Sequence, residues 1–251
     1  MAYIDLHFHL LPGIDDGPAD MDESLELARA AVMEGTGTVV VTPHVRSDLG
    51  LTDAVEIHAR VMELRFALEA AQIPLQIRCG GELGHEMVSR MRQSELELIA
   101  QGPSGARWLL VETPFHGIGG DFHDATAELR DRGFGVLVAH PERSADASLD
   151  GAAGLRAELA SGSLAQVNAL SLTGGHGEEA CSAGWELIAE GLIAVVASDA
   201  HGPTRPPALA LARRTLLEVG ITRPAAESLV GSTPHRLLAS GIASRRAVAA
   251  A

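Results

Sequence analysis

Residues 3–17 read YIDLHFHLLPGIDDG. The stretch starts as an apolar, β-prone run and ends in metal-donor chemistry. His7 and His9 are two residues apart, so on an extended strand their side chains leave the same face. The loop that follows, Leu10 to Gly17, contains proline and glycine and could bend Asp15 or Asp16 back over the strand end. An apolar strand whose C-terminal end becomes reactive is the repeating unit of a β/α barrel, in which the strand ends gather at one mouth.

The same unit recurs along the chain. Strand-like runs begin at Gly37 (GTVVVTPH), Leu75 (LQIRCGGE), Arg107 (RWLLVE), Phe134 (FGVLVAH), Leu164 (LAQVNA) and Ile193 (IAVVASDAH). They are apolar on successive positions, as in parallel strands covered on both faces. Helical spacing fills the intervals over 22–34, 53–71, 121–132, 149–160, 177–190 and 207–219, with two short helices around Ala225 and Leu237. Seven strand–helix units predict an α/β fold, a closed or nearly closed (β/α)7 barrel. A doubly wound sheet is the competing arrangement. No repeat or linker divides the sequence, so residues 1–251 are expected to form a single domain.

Composition narrows the function. Lys and Arg number 19 against 33 Asp and Glu, for a formal net charge of −14. A nucleic-acid surface would need the opposite balance, so no nucleic-acid partner is expected. An anionic substrate must then be held by a local positive feature. The two cysteines, Cys79 and Cys181, form no motif, and neither is followed by a phosphate-binding loop, which argues against a phosphocysteine mechanism. No signal peptide or membrane span is read, and a cytoplasmic location is expected.

The runs end in His7 and His9; in His44; in Glu82; in Glu112; in His140, Glu142 and Arg143; and in Asp199 and His201. A lone strand-end histidine is usually an ordinary hydrogen-bonded residue. A whole set at successive strand ends is costly to bury without cations. Imidazole and carboxylate together suit Zn, Mn or Fe. His7, His9, Asp16, His44, Glu82, Glu112, His140, Asp199 and His201 are too many donors for one ordinary site and enough for two or three divalent cations, with Glu82 as the natural bridge. His58, His85, His116, His123, His176 and His235 lack partner spacing and are read as structural, although the TPFHGIGG loop could bring His116 to the mouth.

The motifs DLHFH, TPH, GGE, LLVE, AHPER and SDAH resemble those of the polymerase and histidinol phosphatase (PHP) superfamily. HFHLLPGIDDGPADMDESLELARAAVMEGTGTVVVTPH, IDDGP and VNALSL resemble its bacterial protein-tyrosine phosphatases of capsule and exopolysaccharide synthesis. The likeness runs from Ile4 to about Leu238. It implies a distorted seven-stranded barrel with a trinuclear centre containing Mn, with Fe or Zn as alternatives. By motif, His7, His9, Glu82 and Asp199 hold one cation, Glu82, Glu112 and His140 a second, and Asp16, His44 and His201 a third. Spacing alone does not separate Asp16 from Asp15; the other of the pair is expected to bond to a ligand or a nearby amide. Arg143 and Arg205 are implied phosphate binders, and His201 is also considered as a proton donor to the leaving group. Where the subgroup can carry a basic run after the TPH element, this chain offers only Arg46.

The implied reaction is phosphomonoester hydrolysis by in-line attack of water activated by the cations. The implied partner is a phosphotyrosine-bearing bacterial tyrosine kinase. Rival readings are a small-molecule phosphatase such as one for histidinol phosphate, a phosphodiesterase, and a non-catalytic PHP scaffold that binds protein.

Overall fold

The computed structural model describes residues 2–48, 53–147 and 152–244. Its strands are β1 (Tyr3–Phe8), β2 (Thr36–Val41), β3 (His44–Val45), β4 (Gln76–Cys79), β5 (Glu82–Gly84), β6 (Trp108–Glu112), β7 (Gly135–Ala139), β8 (Leu164–Asn168) and β9 (Val195–Ala197). Every ladder between them is parallel. The α-helices are α1 (Met21–Glu34), α2 (Ala54–Ala70), α3 (Gln93–Ile99), α4 (Gly120–Asp131), α5 (Ala153–Ala160), α6 (Glu178–Ala189), α7 (Leu209–Glu218), α8 (Arg223–Glu227) and α9 (Thr233–Ser240).

The ladders form two blocks, β1-β2-β4 and β3-β5-β6-β7-β8-β9. Two of the seven sequence runs are therefore each broken in the middle. In the second run Thr42-Pro43 separates β2 from β3, and in the third Gly80-Gly81 separates β4 from β5. Single backbone bonds carry the connection across these breaks. The Gly80 amide donates to Val41 O at 2.9 Å and the Glu82 amide to Pro43 O at 3.0 Å. The last run returns to the first, because the Asp199 amide donates to His7 O and the His9 amide to Ala200 O, both at 2.9 Å. The seven runs thus close into a distorted barrel, which excludes the open doubly wound sheet.

Local chemistry explains the main elements. Asp20 accepts from the Glu23 amide at 3.0 Å at the start of α1, and Gly35 (φ 103°) ends that helix in the left-handed region. Asp53 caps α2 through the Val55 amide at 2.8 Å. α1 and α2 turn Leu27, Ala28 and Ala31, and Ile57, Val61 and Leu64, into a continuous buried core. Helix α5 begins at Ala153; the expected start at 149–151 lies outside the described residues. A helical segment the sequence does not announce, α3, follows a 3-10 turn over His85–Arg90. Its polar sequence, QSELELI, buries only Leu96 and Ile99.

Candidate metal centre

A pocket of about 250 Å³ at the barrel mouth is lined by Asp16, His44, Glu82, Glu112, His140 and Asp199, with His7, His9 and His201 packed against these donors. Glu82, first residue of β5 and fully buried, stands at its centre. Its Oε2 lies 3.2 Å from His7 Nε2, 3.3 Å from His9 Nε2 and 3.0 Å from His44 Nδ1. Its Oε1 lies 2.7 Å from His140 Nε2. Asp199 Oδ1 is 3.3 Å from His7 Nε2 and 3.5 Å from His9 Nε2. Asp16 reaches over the mouth from the β1–α1 loop, with Oδ1 3.0 Å from His201 Nε2 and 3.4 Å from His44 Nε2. Glu112 Oε2 is 3.8 Å from His44 Nδ1.

Three donor groups result: His9, Asp16, His44 and His201; His7, His9, Glu82 and Asp199; and His44, Glu82 and Glu112. They differ from the sequence-derived sets in two respects. His9 also belongs beside Asp16, and His44, rather than His140, accompanies Glu82 and Glu112; His140 instead approaches the other oxygen of Glu82. Together they have the capacity for two or three divalent cations.

Hydrogen bonding fits the site to cations. His7 Nδ1 donates to Gln166 Oε1 at 3.1 Å, His9 Nδ1 to Asp15 Oδ2 at 2.7 Å and His201 Nδ1 to the Asp199 carbonyl at 2.8 Å. Each imidazole is thereby oriented through Nδ1 with its Nε2 facing the pocket, the atom that would ligate a metal once its proton is displaced. Buried polar atoms without a hydrogen-bond partner of their own converge there: His44 Nδ1, Glu82 Oε2, Asp199 Oδ1 and His201 Nε2. Such atoms are expensive inside a protein unless an ion satisfies them.

The electrostatics agree. Burial opposes charge on His9, but Asp15 and Glu82 outweigh it and raise the imidazole to about 9. Burial likewise opposes charge on His44, while Glu82, Asp16 and Glu112 raise it to about 11. Burial would push Glu82 up, yet His7, His44 and His140 hold it well below the usual carboxylate range. Glu112 is raised, first by burial and then by the charge of Glu82. Without cations the cluster holds itself together with protons, which entering cations must displace.

The two members of the DDG pair are separated by geometry. Asp16 faces His44 and His201, while Asp15 accepts from His9 Nδ1 and from the amides of His44 (3.1 Å) and Gly17 (3.0 Å). Arg143 Nη1 and Arg205 Nη2 both contact Asp199 Oδ2, at 3.1 and 2.7 Å, and Arg205 Nη1 lies 3.2 Å from Asp16 Oδ2. Both arginines line the pocket. Arg46 also lines it, its Nη1 donating to both Glu112 oxygens at 2.8 and 2.7 Å.

Several residues escaped the sequence reading. Gln166 and Asn168 are two apart on β8, the same spacing as His7 and His9. They form a relay in which Gln166 Nε2 donates to Asn168 Oδ1 and Asn168 Nδ2 to Asp199 Oδ2, each at 2.7 Å. That spacing was the available signal. Phe115, not His116, lines the pocket; it is 56% exposed, and Arg143 lies over its ring at 5.5 Å from the centroid. Glu142 turns away from the mouth and accepts from the Asn168 amide at 3.0 Å and from Ser171 Oγ at 2.7 Å.

His140 (φ 36°) and Asp199 (φ 53°) both occupy the left-handed region. Histidine and aspartate enter that region more readily than most side chains, and Gln72 and Ala152, neither of which lines the pocket, occupy it too. Neither cysteine lines the pocket, and burial raises the Cys79 thiol to about 11, far from a nucleophile's range.

Fold and donor set together define a PHP-type β/α barrel with a polynuclear metal-binding mouth. A family model described as capsular polysaccharide synthesis, CpsB/CapC, matches residues 3–239, and the chain belongs to that family. The tyrosine-protein phosphatase YwqE of Bacillus subtilis is 29% identical over 198 residues, spanning 79% of this chain and 77% of the relative. The putative tyrosine-protein phosphatase CapC of Staphylococcus aureus is 29% identical over 206 residues, spanning 81% and 79%. A crystal structure from work on YwqE of Bacillus subtilis and CpsB of Streptococcus pneumoniae, described there as unique metal-dependent tyrosine phosphatases, matches with a TM-score of 0.83 at 26% identity over 96% of each chain. The phosphotriesterase homology protein of Escherichia coli shares the fold, with a TM-score of 0.62 at 13% identity over 94% of this chain and 98% of that one.

Among the described residues no helix is long and apolar enough to cross a membrane.

Proposed function

We propose that the protein is a metal-dependent protein-tyrosine phosphatase that removes phosphate from a bacterial tyrosine kinase of capsule or exopolysaccharide synthesis. The observation that carries this reading is the convergence of His7, His9 and His44 on one oxygen of Glu82, within 3.3 Å. Membership of a capsule-synthesis family supports the biological setting, and a cytoplasmic location goes with it. The described residues pack largely on one extended core, which supports a single catalytic domain.

Three cations are assigned, with manganese as the expected metal. His7, His9, Glu82 and Asp199 would hold the first. Glu82 and Glu112 would hold the second, with His140 on the free side of Glu82 and His44 beside it. Asp16, His44 and His201 would hold the third. When bound, the cations would supply Lewis acidity and a more acidic water near neutral pH.

The chain's own groups do the rest. Arg143 and Arg205, already side by side on Asp199, exchange that carboxylate for the nonbridging phosphate oxygens and neutralise the charge that grows on them. His201 donates its Nδ1–H to the Asp199 carbonyl and burial lowers its pKa, which favours the neutral ring whose Nε2 would ligate a cation. The exposed Phe115 ring at the rim offers a face to the tyrosyl ring of the substrate.

Protein reconstituted separately with Mn, Fe, Zn or Mg should be assayed for phosphate release from a phosphotyrosyl peptide and from histidinol phosphate. The peptide is expected to be preferred, most strongly with Mn. Selective turnover of histidinol phosphate rejects the protein substrate. Inactivity of every loaded form toward both would reject the phosphomonoesterase.

A further inference from the structure

A second and larger cavity, about 750 Å³, is lined by the first halves of β1 and β2, by all of β4 and by one face of α9, and shares no lining residue with the mouth. It lies beside the break in the third run. β6 pairs with β5 rather than with β4, so β4 ends its ladder as an edge. The seam between β4 and β6 is bridged by one residue. Gln101 pairs with Trp108 through both backbone bonds, at 2.8 and 2.9 Å, and its side-chain amide donates to Cys79 O. The pocket lies on the β4 side of that bridge, with Ala100, Gln101 and α9 as its other walls.

Its chemistry runs against the rest of the surface. In a chain with a net charge of −14, the cavity is lined by Arg65, Arg78 and His235, and no Asp or Glu is among its described lining residues. Both guanidiniums are braced by neutral acceptors: Arg65 Nη2 donates to Ile77 O at 2.9 Å and Arg78 Nε to Gln101 Oε1 at 3.1 Å. Among the described ion pairs neither has a carboxylate partner, unlike Arg46, Arg130, Arg143 and Arg205. Leu75 and Ile77, both buried, add apolar wall. Two oriented guanidiniums and an imidazole beside an apolar wall recognise an anion carried on an organic body, and guanidinium geometry favours phosphate. The volume lies in the range of small-molecule sites, about 300–1,000 Å³.

We propose that this cavity binds a small organic phosphate of nucleotide size, independently of the metal centre. The test is amide chemical-shift mapping of the Zn-loaded, full-length protein with ADP, adenosine and pyrophosphate. ADP is expected to shift the amides of Gln76, Arg78 and Gln101 saturably at sub-millimolar concentration. Adenosine and pyrophosphate are each expected to bind there roughly tenfold or more weakly, lacking the charge and the apolar body respectively. Arg65→Gln and Arg78→Gln, both at exposed positions, should each weaken ADP by roughly tenfold with the mouth resonances unmoved. ADP shifts confined to mouth amides such as His9 and Asp16, or absent altogether, overturn the proposal. So does adenosine or pyrophosphate matching ADP, or ADP binding that is indifferent to both arginine variants.

Discussion

Arg143 and Arg205 end on the same atom, Asp199 Oδ2, at 3.1 and 2.7 Å, although one follows β7 and the other β9. Two guanidiniums on one buried carboxylate oxygen form a ready cradle for a second anion. Arg143→Ala and Arg205→Ala should each lower kcat/KM for a phosphotyrosyl peptide by roughly 10²-fold, the scale for losing one preorganised donor to a developing oxyanion. Metal content by mass spectrometry should stay near the wild-type value. Loss of metal in step with activity would show that the arginines act on Asp199 alone.

Glu82 is the shared donor, so Glu82→Gln should empty more than one cation position. Glu112 belongs to one donor group, so Glu112→Gln should remove at most one equivalent. Both variants are expected to lose activity. Counting cations per chain separates them, and equal losses would contradict a bridging role for Glu82.

Asp15 orients His9 from behind, through Nδ1 at 2.7 Å. Asp15→Asn should weaken metal affinity by roughly 10–100-fold, the usual effect of removing such a partner. Excess Mn should restore much of the activity. No such rescue is expected for Asp16→Asn, whose carboxylate faces the cations themselves. A metal titration of both variants decides.

Phe115 should act on KM more than on kcat. With Phe115→Ala, KM for a phosphotyrosyl peptide is expected to rise several-fold, in line with an aromatic contact of about 0.5–1.5 kcal/mol. Hydrolysis of a non-aromatic phosphate ester should be unaffected. Equal effects on the two substrates would place the ring outside the substrate path.

Away from the mouth, Glu158 on α5 is fully buried and takes bonds from His123 Nδ1 (2.6 Å), Thr126 Oγ1 (2.8 Å) and Arg130 Nη1 (3.0 Å) of α4, and from Ser163 Oγ (2.8 Å). Burial favours the neutral acid, but these donors together hold the carboxyl below its usual value of 4.5. A depressed folded-state pKa stabilises above the unfolded value and loses that contribution as pH falls through the folded one. Glu158→Gln should therefore cost roughly 3 kcal/mol at neutral pH, a difference that shrinks progressively below about pH 4.5. Melting temperatures of both proteins across pH 3 to 7 check the sign.

The barrel and its mouth were legible because each apolar run ends in donors, a pattern only a shared strand-end pocket accommodates cheaply. The breaks inside two runs were harder to see. Pro43 lacks an amide for the ladder. At Gly80 a Cβ would stand 2.5 Å from Val40 Cγ1, so the close approach requires glycine, but neither residue announces a change of neighbour. The roles of Asp15 and Asp16 depend on how one loop turns, which two adjacent identical side chains cannot disclose. Helix α3 cannot be read from its short polar sequence, which shows too little amphipathic pattern. Glu142 sits within a motif, yet the 3-10 turn over Pro141–Arg143 directs it inward to Ser171.

The left-handed backbone at His140 and Asp199 sets durability against chemistry. A non-glycine residue held there costs up to about 1–3 kcal/mol, toward the low end for histidine and aspartate, which enter that region more readily than most side chains. Glycine at either position would remove that cost and raise thermal tolerance, but it would forfeit a donor at the centre.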